Sequence, residues 1–568
     1  MVGIAVLLPY LTLLSGPEPP GGIVRWLYET LSWSQREFVL IVTFGMMAFF
    51  VLKAVAAYFL NRIKFNASAD VTCRLSNELF KLLVNADYGY LSGQSVSQIT
   101  GVINAETVHV AIWLDAVIAI LSEALLLSLV LAAIIAVDGR LAIILVSTLG
   151  IVSAVFYFGV LRGVAAQGEA QSEVRTRQYR FLFSVVSAIK DLKILGLERA
   201  IRVEHGMLNQ KYAAAISAFN LFQTIPRSFL ELIVMVSVPT VGLAVVYGAV
   251  DVRSAVPFLG FLAFCAVRLM PSYNRIVGGY SSYKFYRPSI VAIQKLFDEL
   301  GARQVIQKHG LLPFENALEI ENLTFSHAGK PVLNGVSLVI ERGTSVGLVG
   351  ISGAGKTTFL DILAGLREAS AGIFKMDGQA FDPFRCDALR RQIGYVPQNV
   401  VLVDDTIAFN ISFEESPDLM RLERVVRIAR IDGFIASLPE GLQTRVGEQG
   451  VRISGGQKQR IGICRALYRD PSILIFDEAT SALDNSTERE LSREIASLAG
   501  EKTLIIVAHR LSTVANCDVI HVFDEGRIVA GGTHERLMSS SKQYRELYQG
   551  ADNISGRSEA GSFIEGKL

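Results

Sequence analysis

Five apolar runs lie before residue 300: Phe38–Leu60, Val108–Val137, Leu141–Leu161, Leu230–Val250 and Val256–Leu269. Most approach the roughly 20 residues that an α-helix needs to cross a hydrocarbon core. Inside lipid each backbone N–H and C=O must be satisfied by the segment itself, so runs of this kind fold as helices. Composition agrees. Hydrophobic residues make up 51% and charged residues 19%, where a soluble chain carries about a quarter charged. Mean hydropathy is +0.40.

Met1–Ser15 is also apolar but short for a span, and it lacks both a basic flank and a small-x-small cleavage site. It is expected to be the outer part of a first span, with the natural chain beginning further upstream. Six spans put both ends of the membrane region on one side. Thirteen Lys/Arg fall in the segments then placed inside, against Arg25, Arg36, Arg140 and Arg253 outside, so the large loops are expected in the cytoplasm. After the first span, Ile23, Trp26, Leu27 and Leu31 share one helical face. This reads either as a lipid-facing external helix or as a packed loop helix. A net charge of +1 argues against a protein that coats nucleic acid. The five cysteines (Cys73, Cys265, Cys386, Cys464, Cys517) have no metal spacing and are expected to be reduced thiols.

From about Leu318 short β-rich runs alternate with helical stretches, the texture of an α/β domain. The expected organisation is a membrane domain over 1–300, a linker over 301–317, an α/β domain over 318–550 and a disordered tail over 551–568.

Gly350-Ile-Ser-Gly-Ala-Gly-Lys-Thr357 fits G-x-x-x-x-G-K-[ST] between a strand and a helix, the context the phosphate-binding loop requires. Its backbone N–H groups wrap phosphate oxygens at a helix N-terminus. Gly350, Ser352, Gly353, Ala354, Gly355, Lys356, Thr357 and Thr358 are therefore assigned to nucleotide. Lys356 should reach the β/γ-phosphates, and the Thr357 hydroxyl should ligate Mg²⁺. Ile473-Leu-Ile-Phe-Asp477-Glu478 is an apolar strand ending in two acids. Asp477 suits the Mg²⁺ shell, and Glu478 is placed to polarise the water that attacks the γ-phosphate.

Ile453-Ser454-Gly455-Gly456-Gln457 resembles the signature of ATP-binding-cassette (ABC) ATPases. Tyr395-Val-Pro-Gln398 resembles their Q-loop, Ser481-Ala-Leu-Asp484 their D-loop, Ala508-His509-Arg510 their switch histidine, and Val446-Gly-Glu448-Gln-Gly450 the X-loop of exporters. The resemblance implies that Ser454, Gly455, Gly456 and Gln457 bind ATP held by a partner's P-loop and that Asp484 lies at the seam. It implies that Gln398 senses Mg²⁺ and water, and that His509 orients Glu478 and the water. One P-loop and one signature per chain imply a homodimer. The adenine-stacking aromatic of the family falls at His327, whose imidazole offers less area; Phe325 reads as a core position. Membrane domain first and cassette second resembles a half-size ABC exporter, with Tyr88–Gln94 and Glu198–His205 as expected coupling helices.

Arg268-Leu-Met-Pro-Ser-Tyr-Asn-Arg275-Ile276, with Leu8-Pro-Tyr-Leu-Thr12, resembles the lipid-linked oligosaccharide flippases of bacterial protein N-glycosylation. That resemblance implies an ATP-driven flippase for a polyprenyl-pyrophosphate glycan in a bacterial inner membrane. Arg268 and Arg275 are then candidate substrate contacts, because an intramembrane arginine is costly and its planar fork suits a pyrophosphate. An internal pair between Arg268 and Glu231, or between Glu123 and another residue, is the competing reading. Export of drugs or lipid A-like lipids is an alternative. An ATP-gated channel or regulator is another, which an intact Glu478 disfavours.

Overall fold

A computed structural model describes residues 35–137, 154, 158, 163–247, 252–305, 312–479, 493, 495, 498–507 and 511–549. The expected first span, the Ile23–Leu31 face, nearly all of the Leu141–Leu161 run and the tail lie outside the described residues.

The chain divides into two compact units, 1–86 with 93–304 and 87–92 with 305–568. In the first, long helices run over Gln35–Val84, Thr107–Val137, Val164–Ser187, Glu198–Val246 and Val252–Ala302. Among the described residues, Leu40–Val84 and Val96–Ala132 are long and apolar enough to cross a membrane. Phe44, Leu52, Leu60, Leu121, Leu125 and Leu129 stand exposed on them, as side chains facing lipid would. The run at Leu230–Val250 lies in the helix Glu198–Val246 up to that helix's end, and Val256–Leu269 lies within the helix Val252–Ala302. The helix at Val252 goes on to Ala302, well past its apolar part.

The two expected coupling helices fare differently. Tyr88–Leu91 is a short helix capped by Asp87, whose Oδ1 accepts from the Gly89 N–H at 2.8 Å. Residues 87–92 group with the second unit. Glu198–His205 is not a separate element; it forms the first turns of the helix Glu198–Val246. The short helix is Ile189–Ile194, and Gly196 at φ 65° ends it. Glycine tolerates that left-handed turn at no Cβ cost, so the break falls at Leu195–Leu197.

The second unit holds two sheets. Strands β1 (Ala317–His327), β2 (Lys330–Glu341), β4 (Ala371–Met376) and β5 (Gln379–Phe381) form an antiparallel sheet in the order β2-β1-β4-β5. The other runs β10-β9-β3-β8-β7-β6, from β3 (Ser345–Val349), β6 (Ile393–Val396), β7 (Ile473–Asp477), β8 (Thr503–Val507), β9 (Val519–Asp524) and β10 (Arg527–Gly532). It is parallel except where β10 returns antiparallel on β9. Every residue of β3 and β7 is buried, as expected of parallel strands covered on both faces. Leu312 and Phe314, placed by sequence in the linker, are buried in the same core as Leu318, Leu348 and Phe359.

Candidate ATP site

β3 ends at Val349, and the chain turns through 350–355 into the helix Lys356–Leu363. The turn is possible because two positions lack a side chain. A Cβ on Gly350 would sit 2.3 Å from the Phe523 carbonyl oxygen, and one on Gly355 (φ 97°) 2.8 Å from Leu333 Cδ2. The helix has no side-chain N-cap, so its first N–H groups are left to a ligand. Its far end is anchored by Phe359 and Leu360, both buried in the core. Lys356 is buried and donates to the carbonyls of Gly350 (2.8 Å) and Ile351 (3.0 Å). Burial lowers its pKa, and the charges of Glu478 and Asp477 pull it back up. Both acids thus act on the amine from the end of β7. Ser352, Gly353 and Thr357 are exposed, Ala354 is buried, and Thr358 is half-buried.

Asp477 is buried, and its two oxygens differ. Oδ2 accepts from the Tyr395 hydroxyl at 3.0 Å. Oδ1 is buried with no hydrogen-bond partner. Burial raises its pKa, the Tyr395 hydroxyl opposes this, and the Glu478 charge adds to it. Tyr395 lies on β6 opposite Ile475 of β7. Burial and the Asp477 charge raise its phenol, so it remains a donor. A buried carboxylate oxygen without a protein partner suits a hard cation, which takes oxygen ligands, so the residues present fit Mg²⁺, which Asp477 and the exposed Thr357 hydroxyl would hold. Tyr395 was not singled out from sequence, where an aromatic in a strand reads as core.

Glu478 takes a left-handed conformation (φ 52°), and its N–H bonds to the Val507 carbonyl of β8. Gln398 Nε2 donates to Glu478 Oε2 at 2.5 Å. The structure therefore brings Gln398, Glu478, Asp477 and Lys356 into one electrostatic neighbourhood. Asp484, with the rest of its loop, and His509 lie outside the described residues.

Ser454 caps the helix Gly455–Tyr468 in a reciprocal box. The Gln457 N–H donates to Ser454 Oγ at 3.3 Å, and the Ser454 N–H donates to Gln457 Oε1 at 2.9 Å. Gln457 is thus engaged with its own chain, while Ser454 and Gly455 stay exposed and Gly456 half-exposed. His327 is exposed at the end of β1, paired with Lys330 across the β1–β2 turn. Phe325 packs against the core as its spacing implied.

Arg227 and Arg275 of the helical unit are engaged by acids. Arg275 Nη1 donates to Glu123 Oε1; the arginine side chain is 66% exposed and the carboxylate 9%. Glu231 is engaged by Arg227 at 2.8 Å, one helical turn away. The Arg268 side chain lies outside the described residues.

Residues 333–481 match the family profile described as ABC transporter. Over 251 residues, 43% of this chain and 42% of the relative, the chain is 41% identical to an ATP-dependent lipid A-core flippase of Cupriavidus metallidurans. Over 273 residues, 47% of this chain and 32% of the relative, it is 40% identical to ATP-binding cassette sub-family B member 6 of Mus musculus. The chain spans half or less of the length of the curated relatives it matches. A bacterial Atm1-family ABC exporter solved with ATP bound superposes with a TM-score of 0.76, over 100% of this chain and 97% of that one, at 24% identity. The chain carries an ABC-transporter cassette behind a helical membrane region, and it has the fold of a half-size ABC exporter.

Proposed function

We propose that this chain is an ATP-driven flippase that works as a homodimer in a bacterial inner membrane, with its cassettes in the cytoplasm. The observation that carries the ATPase reading is the pairing at the end of β7: Gln398 holds Glu478, while Asp477 keeps one buried oxygen without a partner. Glu478 takes the water's proton as general base. Lys356 leaves its loop carbonyls for the β/γ-phosphates, and Asp477 with Thr357 holds Mg²⁺. That ion, when bound, neutralises charge developing on the transferred phosphoryl group. Exposed Ser454 and Gly455, with half-exposed Gly456, close the site of a second copy, with Asp484 and His509 at the seam. His327 offers its ring to adenine.

The substrate we propose is an amphipathic lipid with an anionic head, a polyprenyl-pyrophosphate oligosaccharide by the resemblance around Arg268–Ile276. Arg268 and the exposed fork of Arg275 are its proposed contacts. A lipid A-core substrate is the second reading, favoured by the flippases to which the chain is similar. An ATP-gated channel is disfavoured by the intact Gln398–Glu478 pair.

The test is reconstitution in liposomes with fluorescent forms of both lipids, and Glu478→Gln as control. ATP-dependent movement of the polyprenyl-linked glycan by the native protein alone supports the first reading. Movement of the lipid A-core form alone replaces it. Brisk hydrolysis with neither lipid moved refutes both substrates.

A further inference from the structure

Between Gly101 and Thr107 the chain does not follow α geometry. Val102–Glu106 is a π-helical turn inserted between the helices Val96–Gly101 and Thr107–Val137. Such turns are rare and concentrate at functional places. The buried Thr107 hydroxyl donates to the Ile103 carbonyl at 2.8 Å, satisfying an acceptor where the α pattern is interrupted.

The two sides of this turn differ. On one side Glu106 is buried and accepts from Arg175 Nη2 of the helix Val164–Ser187 at 2.5 Å. Arg175, also buried, reaches the His109 ring at 2.9 Å. That ring stacks on Tyr286 of the helix Val252–Ala302, with centroids 5.0 Å apart. These helices are themselves in backbone contact, since a Cβ on Gly168 would fall 2.3 Å from the Phe285 carbonyl oxygen. On the other side Ile103, Asn104 and Thr107 line an open pocket of about 440 Å³, with Thr72, Cys73 and Asn77 of the helix Gln35–Val84 on its opposite wall. One side is clamped by charge, and the other has room.

We propose that the Val102–Glu106 turn is a hinge of the helical unit, held in its π form by the buried Glu106–Arg175 pair. A π turn carries one residue more than the α turn that can replace it. Annealing it rotates the preceding segment by about 100° against Thr107–Val137, and the pocket is the space that movement uses. The segment that rotates begins directly after 87–92, the residues that group with the cassette. The hinge stands on the geometry alone; only its use in a nucleotide cycle rests on the function proposed above.

The test uses the full chain in nanodiscs, with Cys265 and Cys386 replaced by serine. Asn104→Cys then faces the native Cys73 across the pocket, and a short bismaleimide reads their juxtaposition. Glu106→Gln is expected to cut the cross-link yield at least threefold, and Glu106→Asp to keep it. In the chain without Asn104→Cys, Glu106→Gln should speed hydrogen exchange at 102–107 at least tenfold while Asp is near native. Equal yield and equal exchange in the Gln and native proteins overturn the hinge. Adding Mg·ATP to Glu478→Gln protein should lower the yield in the same way. An unchanged yield with nucleotide demonstrably bound overturns the hinge's part in the cycle. Absence of nucleotide binding refutes the ATPase reading and leaves the nucleotide-free comparison to decide the hinge.

Discussion

Replacing Tyr395 by phenylalanine isolates one bond at the metal end of the site. Its hydroxyl donates to Asp477 Oδ2 at 3.0 Å, while Oδ1 has no partner. The ring itself stays, so the β6–β7 packing is kept. A hydrogen bond to a charged acceptor contributes about 1.5–3 kcal/mol, and roughly 1.4 kcal/mol is tenfold in an equilibrium. The Mg²⁺ concentration for half-maximal nucleotide binding should therefore rise roughly 10- to 150-fold, a span that covers the roughly 10- to 100-fold seen for outer-shell partners of metal ligands. The pH dependence has a definite sign. Burial raises the pKa of Asp477 and the Tyr395 donor opposes that rise, so losing the donor raises it further. Mg²⁺ needs the ionised form, so its binding fails on the acid side at a higher pH in the variant. For folding alone the sign is reversed. A carboxyl with a raised folded-state pKa contributes stability that is fully present below its unfolded pKa and is lost as pH rises through the folded one. The assay is fluorescent-ATP binding against Mg²⁺ at several pH values. An unchanged Mg²⁺ requirement and an unmoved acid limb would refute the claim that Tyr395 holds one oxygen so that the other can take the cation.

Glu478→Gln should retain ATP binding and lose turnover by at least about 100-fold, the scale of a removed general base; phosphate release measures it, and near-native turnover would sink the assignment. Gly350→Ala places a Cβ 2.3 Å from the Phe523 carbonyl oxygen and should destabilise the cassette by about 1–3 kcal/mol. Thermal unfolding reads that, together with weaker nucleotide binding. Ser454→Ala removes an N-cap worth about 1 kcal/mol and should also abolish ATP-driven dimer closure; a small loss of stability with unimpaired closure would confine Ser454 to capping.

The legible parts of the molecule are those where one local requirement forces one residue type. Gly350 and Gly355 could be read because backbone and side chains leave no room for a Cβ there. Asp477 and Glu478 could be read because a fully apolar strand that ends in two acids must deliver them at its C-terminal end. Other features depend on partners distant in sequence. Tyr395 reaches Asp477, 82 residues on, only because β6 lies beside β7. Glu106 and Arg175 are 69 residues apart, and each alone reads as a solvated charge. Leu312 and Phe314 follow a stretch without periodicity, so nothing local marks them as core. The expectation of a separate short helix at Glu198–His205 has a similar origin. Helical propensity continues across Ile189–His205, and only Gly196 at positive φ shows where the chain breaks.

The exposed signature and the exposed P-loop bear on how many chains make a working site. Ser454 Oγ accepts from the Gln457 N–H, which engages a lone pair and leaves its own hydrogen free to donate. The serine can therefore cap its helix and bind a phosphate oxygen at once, and Gln457 makes that possible by holding the cap from the other side. The Gly455–Tyr468 helix adds the partial positive charge of its N-terminus beside that donor. On the P-loop, Lys356 is turned onto carbonyls of its own loop, and a triphosphate recruits it by offering a charged acceptor in place of two neutral ones. Each surface supplies donors and positive potential where a phosphate would lie, while the charges of Asp477 and Glu478 act on Lys356 from the end of β7. Two such surfaces repel when brought together bare and attract when ATP lies between them. On this electrostatic ground the proposed dimer closes on nucleotide and opens once the γ-phosphate is cleaved, so its ATP-driven closing should weaken with added salt, whereas salt should not weaken the approach of the bare surfaces.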